Sequence, residues 1–238
     1  DTSQCDGGVC DLLIRGDNGT DETIGYMQSG DIPSFKIFDA SNISDASEDT
    51  YVNAGASEYF PWEDEGNYTA DRLMKGISYS LNLDDYHNLV SFYTLPSDVS
   101  LDGVISSMSD NISSIITEGS SAINYNGAWA GSLIEFYPEN GYWISVYSEN
   151  DTLSGIGVDY YPNRIYDLHA GLNLISFPDT GSVDIGVAIS DDIEDLFKAI
   201  IGEGISAMNT ETGWIGSLDR FRGNEGYWVM VEEALSFS

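Results

Sequence analysis

The chain has 238 residues, 42% hydrophobic and 12% aromatic, enough apolar material for one large domain or two to three small ones. Eight Lys and Arg stand against forty Asp and Glu, a formal charge of −32 that repels a phosphate backbone and excludes nucleic acid as a partner. No apolar run is long enough to span a bilayer, and no basic start followed by an apolar stretch marks an uncleaved signal peptide, so no membrane insertion is expected.

Taken in chain order, the first feature is Cys5 and Cys10, separated by the flexible Asp-Gly-Gly-Val. Two thiols make a poor metal site, so the spacing predicts a local disulfide and an oxidising, extracellular setting. Next comes Asp17-Asn18-Gly19-Thr20-Asp21-Glu22, which clusters oxygen ligands in one loop. Asp17, Asn18, Asp21 and Glu22 are candidate calcium ligands, although the spacing departs from the Asp-x-Asp-x-Asp-Gly of a helix-loop-helix site. Alternating stretches such as Gly25-Tyr26-Met27 and Ser34-Phe35-Lys36-Ile37-Phe38, set among Asp, Asn, Gly and Ser, make residues 1–78 a β-rich, sandwich-like segment. Few strands fit in it, so it is either half of a larger sandwich or one that borrows a strand from a partner.

An internal duplication organises the rest. Shifted by 85 residues, Asn88–Val146 aligns with Asn173–Val231 without a gap, and 22 of 59 positions are identical. Such self-similarity predicts two copies of one fold, a first module over 79–150 and a second over 167–238, joined by a linker strand over 151–166. In each copy Asn-Leu-Val/Ile-Ser-Phe reads as a strand whose Asn holds a turn at its edge. Val104, Met108, Ile112 and Ile115, and Ile189, Ile193, Phe197 and Ile200, then recur at helical spacing. Glu118-Gly119 and Glu203-Gly204 read as helix ends, with Gly supplying the left-handed residue. Two strands follow around Asn126-Gly127 or Thr212-Gly213, then a last strand, Gly-Tyr-Trp-Ile-Ser-Val or Gly-Tyr-Trp-Val-Met-Val. The predicted fold class is α+β: the β-rich segment followed by two tandem β-α-β-β-β modules.

The order Asn-Leu-Ile-Ser-Phe, Gly-Glu-Gly, Trp-x-Gly-Ser-Leu, Gly-Tyr-Trp-Val resembles the tandem "W-N-L-I-S-x-P … G-Y-W-V" repeats of large extracellular proteins in marine and gliding bacteria and of structural proteins in marine cyanophages. Gly30–Ala40 with Pro61-Trp62 resembles the β-sandwich that precedes those repeats. The resemblance implies an architecture and a surface, adhesion or virion-appendage role, with no catalytic motif attached. Where those repeats carry Trp before Asn-Leu, this chain has His87 and Leu172.

Candidate chemistry is sparse. His87 aligns with Leu172 and His169 with Asp84, so the copies share no histidine-based mechanism, and no nucleophile turn or zinc motif stands near either. Forty acidic residues make close carboxylate pairs by accident, so they do not point to glycoside hydrolysis. The copies share Glu118 with Glu203 and Asp110 with Asp195, and the glutamates are expected to anchor backbone amides of the loop that follows them. Trp129, Trp214, Tyr142, Tyr227, Trp143 and Trp228 occur in both copies among apolar neighbours and are expected in the core. Trp62, Tyr125, Tyr137, Tyr160 and Tyr161 are not shared, which makes them the candidates for glycan or partner contact. From Ile77 to Asn163 there is no Lys or Arg against eleven Asp and Glu, which calls for salt or divalent cations, as in a marine or calcium-rich extracellular medium. The expected function is a non-enzymatic structural or adhesion part of a surface filament, virion appendage or cell-surface assembly, binding its own copies or other chains and needing no cofactor beyond calcium. The alternative is a carbohydrate-binding module of a larger secreted protein.

Overall fold

Asn-Leu-Val-Ser-Phe and Asn-Leu-Ile-Ser-Phe both fold as strands running into a buried Phe92 or Phe177, and each copy builds its own sheet beside that strand. The computed structural model describes residues 11–38, 51–56, 60–70, 73–147, 151–157, 159–160 and 164–238. They fall into two compact units, Asp1–Met74 and Lys75–Ser238. Cys5, Cys10 and Tyr161 lie outside the described residues.

The N-terminal part is β-rich. Strands β1 (Phe35–Phe38), β2 (Tyr51–Ala56) and β3 (Leu73–Lys75) form one sheet in that order, with Phe35 opposite Ala54 and Phe38 opposite Tyr51. A short 3-10 turn at Asp21–Thr23 closes the preceding loop.

The rest is also predominantly antiparallel β. The first copy contains β4 (Ile77–Leu83), β5 (His87–Ser91), β6 (Thr94–Leu95), α1 (Leu101–Ile105), β7 (Ile112–Thr117), β8 (Ser120–Tyr125), β9 (Ala128–Gly131) and β10 (Gly141–Val146). After β11 (Asp151–Gly157) and β12 (Asp159–Tyr160) comes the second copy. It comprises β13 (Tyr166–Leu168), β14 (Gly171–Ile175), β15 (Ser182–Asp184), α2 (Ile185–Ala188), α3 (Asp191–Glu194), β16 (Phe197–Gly202), β17 (Ile205–Thr210), β18 (Gly213–Gly216), β19 (Arg220–Arg222), β20 (Tyr227–Val231) and β21 (Leu235–Phe237).

The main sheets have matching order, β5-β10-β7-β8-β9 and β14-β20-β16-β17-β18. A second, smaller layer closes each core. Tyr79, Leu81 and Leu83 of β4 and Leu153 of β11 pack against Phe92, Phe136, Tyr142 and Ile144; Tyr166, Leu168, Leu235 and Phe237 of β13 and β21 do the same for the second copy. The expected linker strand is therefore in part a core element, since β11 pairs with β4 along all seven of its residues.

The apolar stripes read as helices need correction. Helix α1 spans only Leu101–Ile105, with Ser100 accepting a hydrogen bond from the Gly103 N–H at its start; Met108 lies in a turn, and Ile112 and Ile115 belong to β7. The reason is a β-bulge. Ser145 pairs with Ser114 but Val146 with Ile112, so Ser113 is an extra residue, and positions three apart face the same core. The same bulge at Lys198 puts Phe197 and Ile200 of β16 on one face. A bulged strand thus copies the i, i+3 signature of a helix. Glu118-Gly119 and Glu203-Gly204 are accordingly hairpin turns, between β7 and β8 and between β16 and β17. Their glycines do take left-handed φ values, +78° and +70°.

Candidate functional site

The asparagines, glycines, tyrosines and glutamates common to both copies have structural partners, and those of the glutamates and of the Gly of Gly-Tyr-Trp meet at the joint between the modules. Asn88 closes a turn by accepting from the Asp84 N–H and donating to its carbonyl, and Asn173 does the same to His169, as expected of a strand-edge asparagine. In Trp-x-Gly-Ser-Leu the backbones of Gly131 and Gly216 approach so closely that an added Cβ would lie 2.0 Å from the Ser121 carbonyl oxygen or 2.1 Å from that of Ser206. Those same carbonyls accept from the N–H groups of Ser132 and Leu133, or Ser217 and Leu218.

Tyr142 and Tyr227 are fully buried, and each hydroxyl accepts from a backbone N–H, of Tyr137 and Arg222 respectively. Burial pushes both phenols well above their ordinary range, and it pushes Tyr79 to about 12. Trp143 and Trp228 depart from the expected core position: they are half-buried on the outward side, between inward-facing Tyr and Ile or Val.

The joint is a pseudo-two-fold. Glu118 of the first module accepts the N–H of Leu174 at 3.0 Å, and Glu203 of the second accepts the N–H of Leu89 at 2.8 Å. These are equivalent bonds related by the 85-residue shift. Each carboxylate covers an edge-strand donor of the opposite module, so the shared glutamates do anchor amides, though of the other copy rather than of their own loop. Val90 bridges to Glu225 and Ile175 to Asn140; the Ser91 N–H donates to the Asn224 carbonyl and the Ser176 N–H to that of Glu139. Gly141 and Gly226 sit where a Cβ would meet the Ile175 carbonyl at 2.8 Å or the Val90 carbonyl at 2.6 Å. The Gly of Gly-Tyr-Trp is thus a joint residue.

Two features break the symmetry. Arg164, 3% exposed, donates to the carbonyls of Pro138 and Tyr93 in the first module and to the Ser176 hydroxyl in the second. Ser176 is also within 2.9 Å of the Tyr166 hydroxyl. A guanidinium keeps its charge when buried, so these oxygens are its replacement for water. Sequence reasoning missed it; the available signal was a lone cation closing an 87-residue stretch, 77–163, that has none. His169 is the second feature. Its Nε2 lies 2.5 Å from Glu118, and the hydrogen bonds with Ala170 and with Glu118 raise its pKa, whereas the equivalent residue in the first module is Asp84. His87 instead places Nδ1 2.7 Å from the Ser145 hydroxyl.

Comparison with protein-family models, with curated proteins and with solved structures finds no match to this chain. The described candidates read from sequence are not among the residues whose cross-module bonds are given above. Asp17 and Asn18 turn their side-chain oxygens onto the Gly19 and Thr20 N–H groups and the Thr23 hydroxyl, and the bonds from Gly19 and Thr23 hold the Asp17 pKa below its usual value. Asp21 and Glu22 are exposed on the adjoining turn. Trp62 stacks over Gly16 and donates its indole N–H to Ile14, which makes it a packing residue of the N-terminal unit. Tyr125 and Tyr137 are exposed at 62% and 52%. Tyr160 is placed by its backbone on β12, opposite Thr94.

Proposed function

We propose that this protein is a non-enzymatic structural and adhesion component of an extracellular assembly, the role implied by its resemblance to repeat-bearing surface and virion proteins. One observation carries the reading: the asparagines, tyrosines and glutamates common to both modules, the polar groups a shared reaction would draw on, are occupied in packing, turn closure and the joint. In this reading each module is an α+β unit, and the N-terminal strands belong to a sandwich-like domain. A Cys5–Cys10 disulfide and calcium held at Asp17, Asn18, Asp21 and Glu22 would suit that setting. Size fractionation of the native material tests the role: the protein should run in a particle far heavier than its 26.0 kDa. Recovery as free monomer from its native source would count against it.

A second reading, carbohydrate binding, is favoured by a shallow cavity of about 230 Å³ lined by Trp129, Ser100, Asp102 and Ile134. An aromatic face beside a carboxylate and a hydroxyl is a common sugar-binding combination. Glycan-array binding lost on Trp129→Ala or Tyr125→Ala would support it, and an array without signal would remove it.

A further inference from the structure

Antiparallel register sets five residues side by side on the outward face of the second module: Leu172 opposite Met230, Met230 opposite Ala199, Ala199 opposite Met208, and Met208 opposite Ile215. Leu172, Met230, Met208 and Ile215 are 45%, 44%, 62% and 59% exposed. The equivalent row of the first module is His87, Ser145, Ser114, Ile123 and Ala130, held in the same register by the same bulge. One fold, one face and one row therefore carry a strip with three polar residues of five in one copy and an unbroken apolar strip in the other.

We propose that this apolar face is where a second copy of the chain docks, sheet against sheet about a two-fold axis. The inference rests on the assembly reading and names its contact.

Two observations select a second copy as the occupant, and a third sets the strength of the contact. The first is charge. The row itself carries no ionised group, and Lys198 and Glu232 near it in sequence pair with each other at 2.7 Å, so it adds nothing to the net charge of −32. A cationic partner would find its attraction elsewhere on the surface, whereas two like-charged copies meet least repulsion at a neutral face. The second is continuity. The next outward row, Leu174, Trp228 and Ile201, runs into the joint at Gly141, where the fold already packs one copy of itself against another. The third is area. Five strands at about 4.8 Å spacing and two rows along them, the second shortened by Leu174, which is 3% exposed, give a face of at most roughly 340 Å², or about 700 Å² in total when paired, against about 1,200–2,000 Å² for stable complexes. The contact is therefore weak in solution and becomes firm only when repeated in an assembly. Methionine side chains suit such a self-complementary surface because they repack without strain.

Sedimentation velocity of the full chain from about 5 μM to about 1 mM, at about 0.05 M and about 1 M NaCl, tests this, since salt screens the repulsion and strengthens apolar contact. The weight-average mass should rise toward the dimer with concentration, more so at high salt. Met230→Ser combined with Ala199→Ser, the residues the first module carries at those positions, should weaken association at least tenfold; Ile215→Ala, also taken from the first module, should weaken it less. Thermal melts of each variant establish that it is folded. A wild-type chain that stays monomeric throughout, a mass that grows past the dimer, or a folded double variant that pairs as well as the wild type would each overturn the proposal. Monomer in solution combined with a native particle would sink this contact and leave the assembly role standing.

Discussion

The two modules share their skeleton down to a bulge and differ in what they show the outside. The bulges at Ser113 and Lys198, the close-approach glycines Gly131 and Gly216, and the reciprocal caps Glu118 and Glu203 recur at the same places. The outward row, the position holding His169 or Asp84, and the cation Arg164 do not. Duplication kept what the sheet and the joint need, and left the exposed face free to diverge. That pattern is expected where the fold is scaffold and the surface sets the partner.

The comparison breaks first at Arg164. Arg164→Met leaves the Pro138 and Tyr93 carbonyls buried without their donor, and should cost about 3 kcal/mol in chemical denaturation, shared by both modules. Loss confined to one module would mean that the joint does not couple them. Gly131→Ala and Gly216→Ala should each cost about 3 kcal/mol, because the new Cβ meets a backbone oxygen that cannot yield. Equal losses would confirm equal roles, and a tolerated Gly131→Ala would show that the first module is looser.

Alkaline pH probes both cores at once. Burial raises Tyr79, Tyr142 and Tyr227 above the unfolded value near 10, so the folded state holds their protons more tightly. The resulting stability is complete below about pH 10 and is lost as pH rises through the folded values, about 12 for Tyr79. Denaturation midpoints should fall steeply over that window, and Tyr142→Phe should flatten the slope; a midpoint unchanged to pH 12 would contradict these burial assignments. Glu203→Ala should cost about 1 kcal/mol, as the Leu89 N–H loses its partner at a part-buried strand edge. The smallest effect is that of His169, whose raised pKa stabilises the joint below about pH 6.5 and ceases to do so as pH rises through the folded value. His169→Asn should abolish that slight dependence.

Much of this was legible in the sequence. The 85-residue duplication foretold two sheets of one topology, Asn126-Gly127 marked its hairpin, and Asn88 and Asn173 were assigned the turns they hold. The helix reads too long in the sequence because a bulge makes a strand imitate helical period, and nothing in Ile-Ser-Ser-Ile announces an extra residue. Trp143 and Trp228 were assigned to the core because composition does not tell which face of a strand is covered. The joint stayed hidden for a related reason: Glu118 finds its partner 56 residues away, a distance that local pattern does not reach. The apolar row emerges only after strand register places Leu172, Met230, Ala199, Met208 and Ile215 beside one another.

Through their pseudo-two-fold joint, two modules of one fold act as a single body. Hydrogen exchange of the intact chain, comparing wild type with Arg164→Met, tests it at the equivalent central strands β7 and β16. A joined body predicts that both strands lose protection together and by the same factor. Protection that collapses in one strand while persisting in the other would show two independent modules that merely touch.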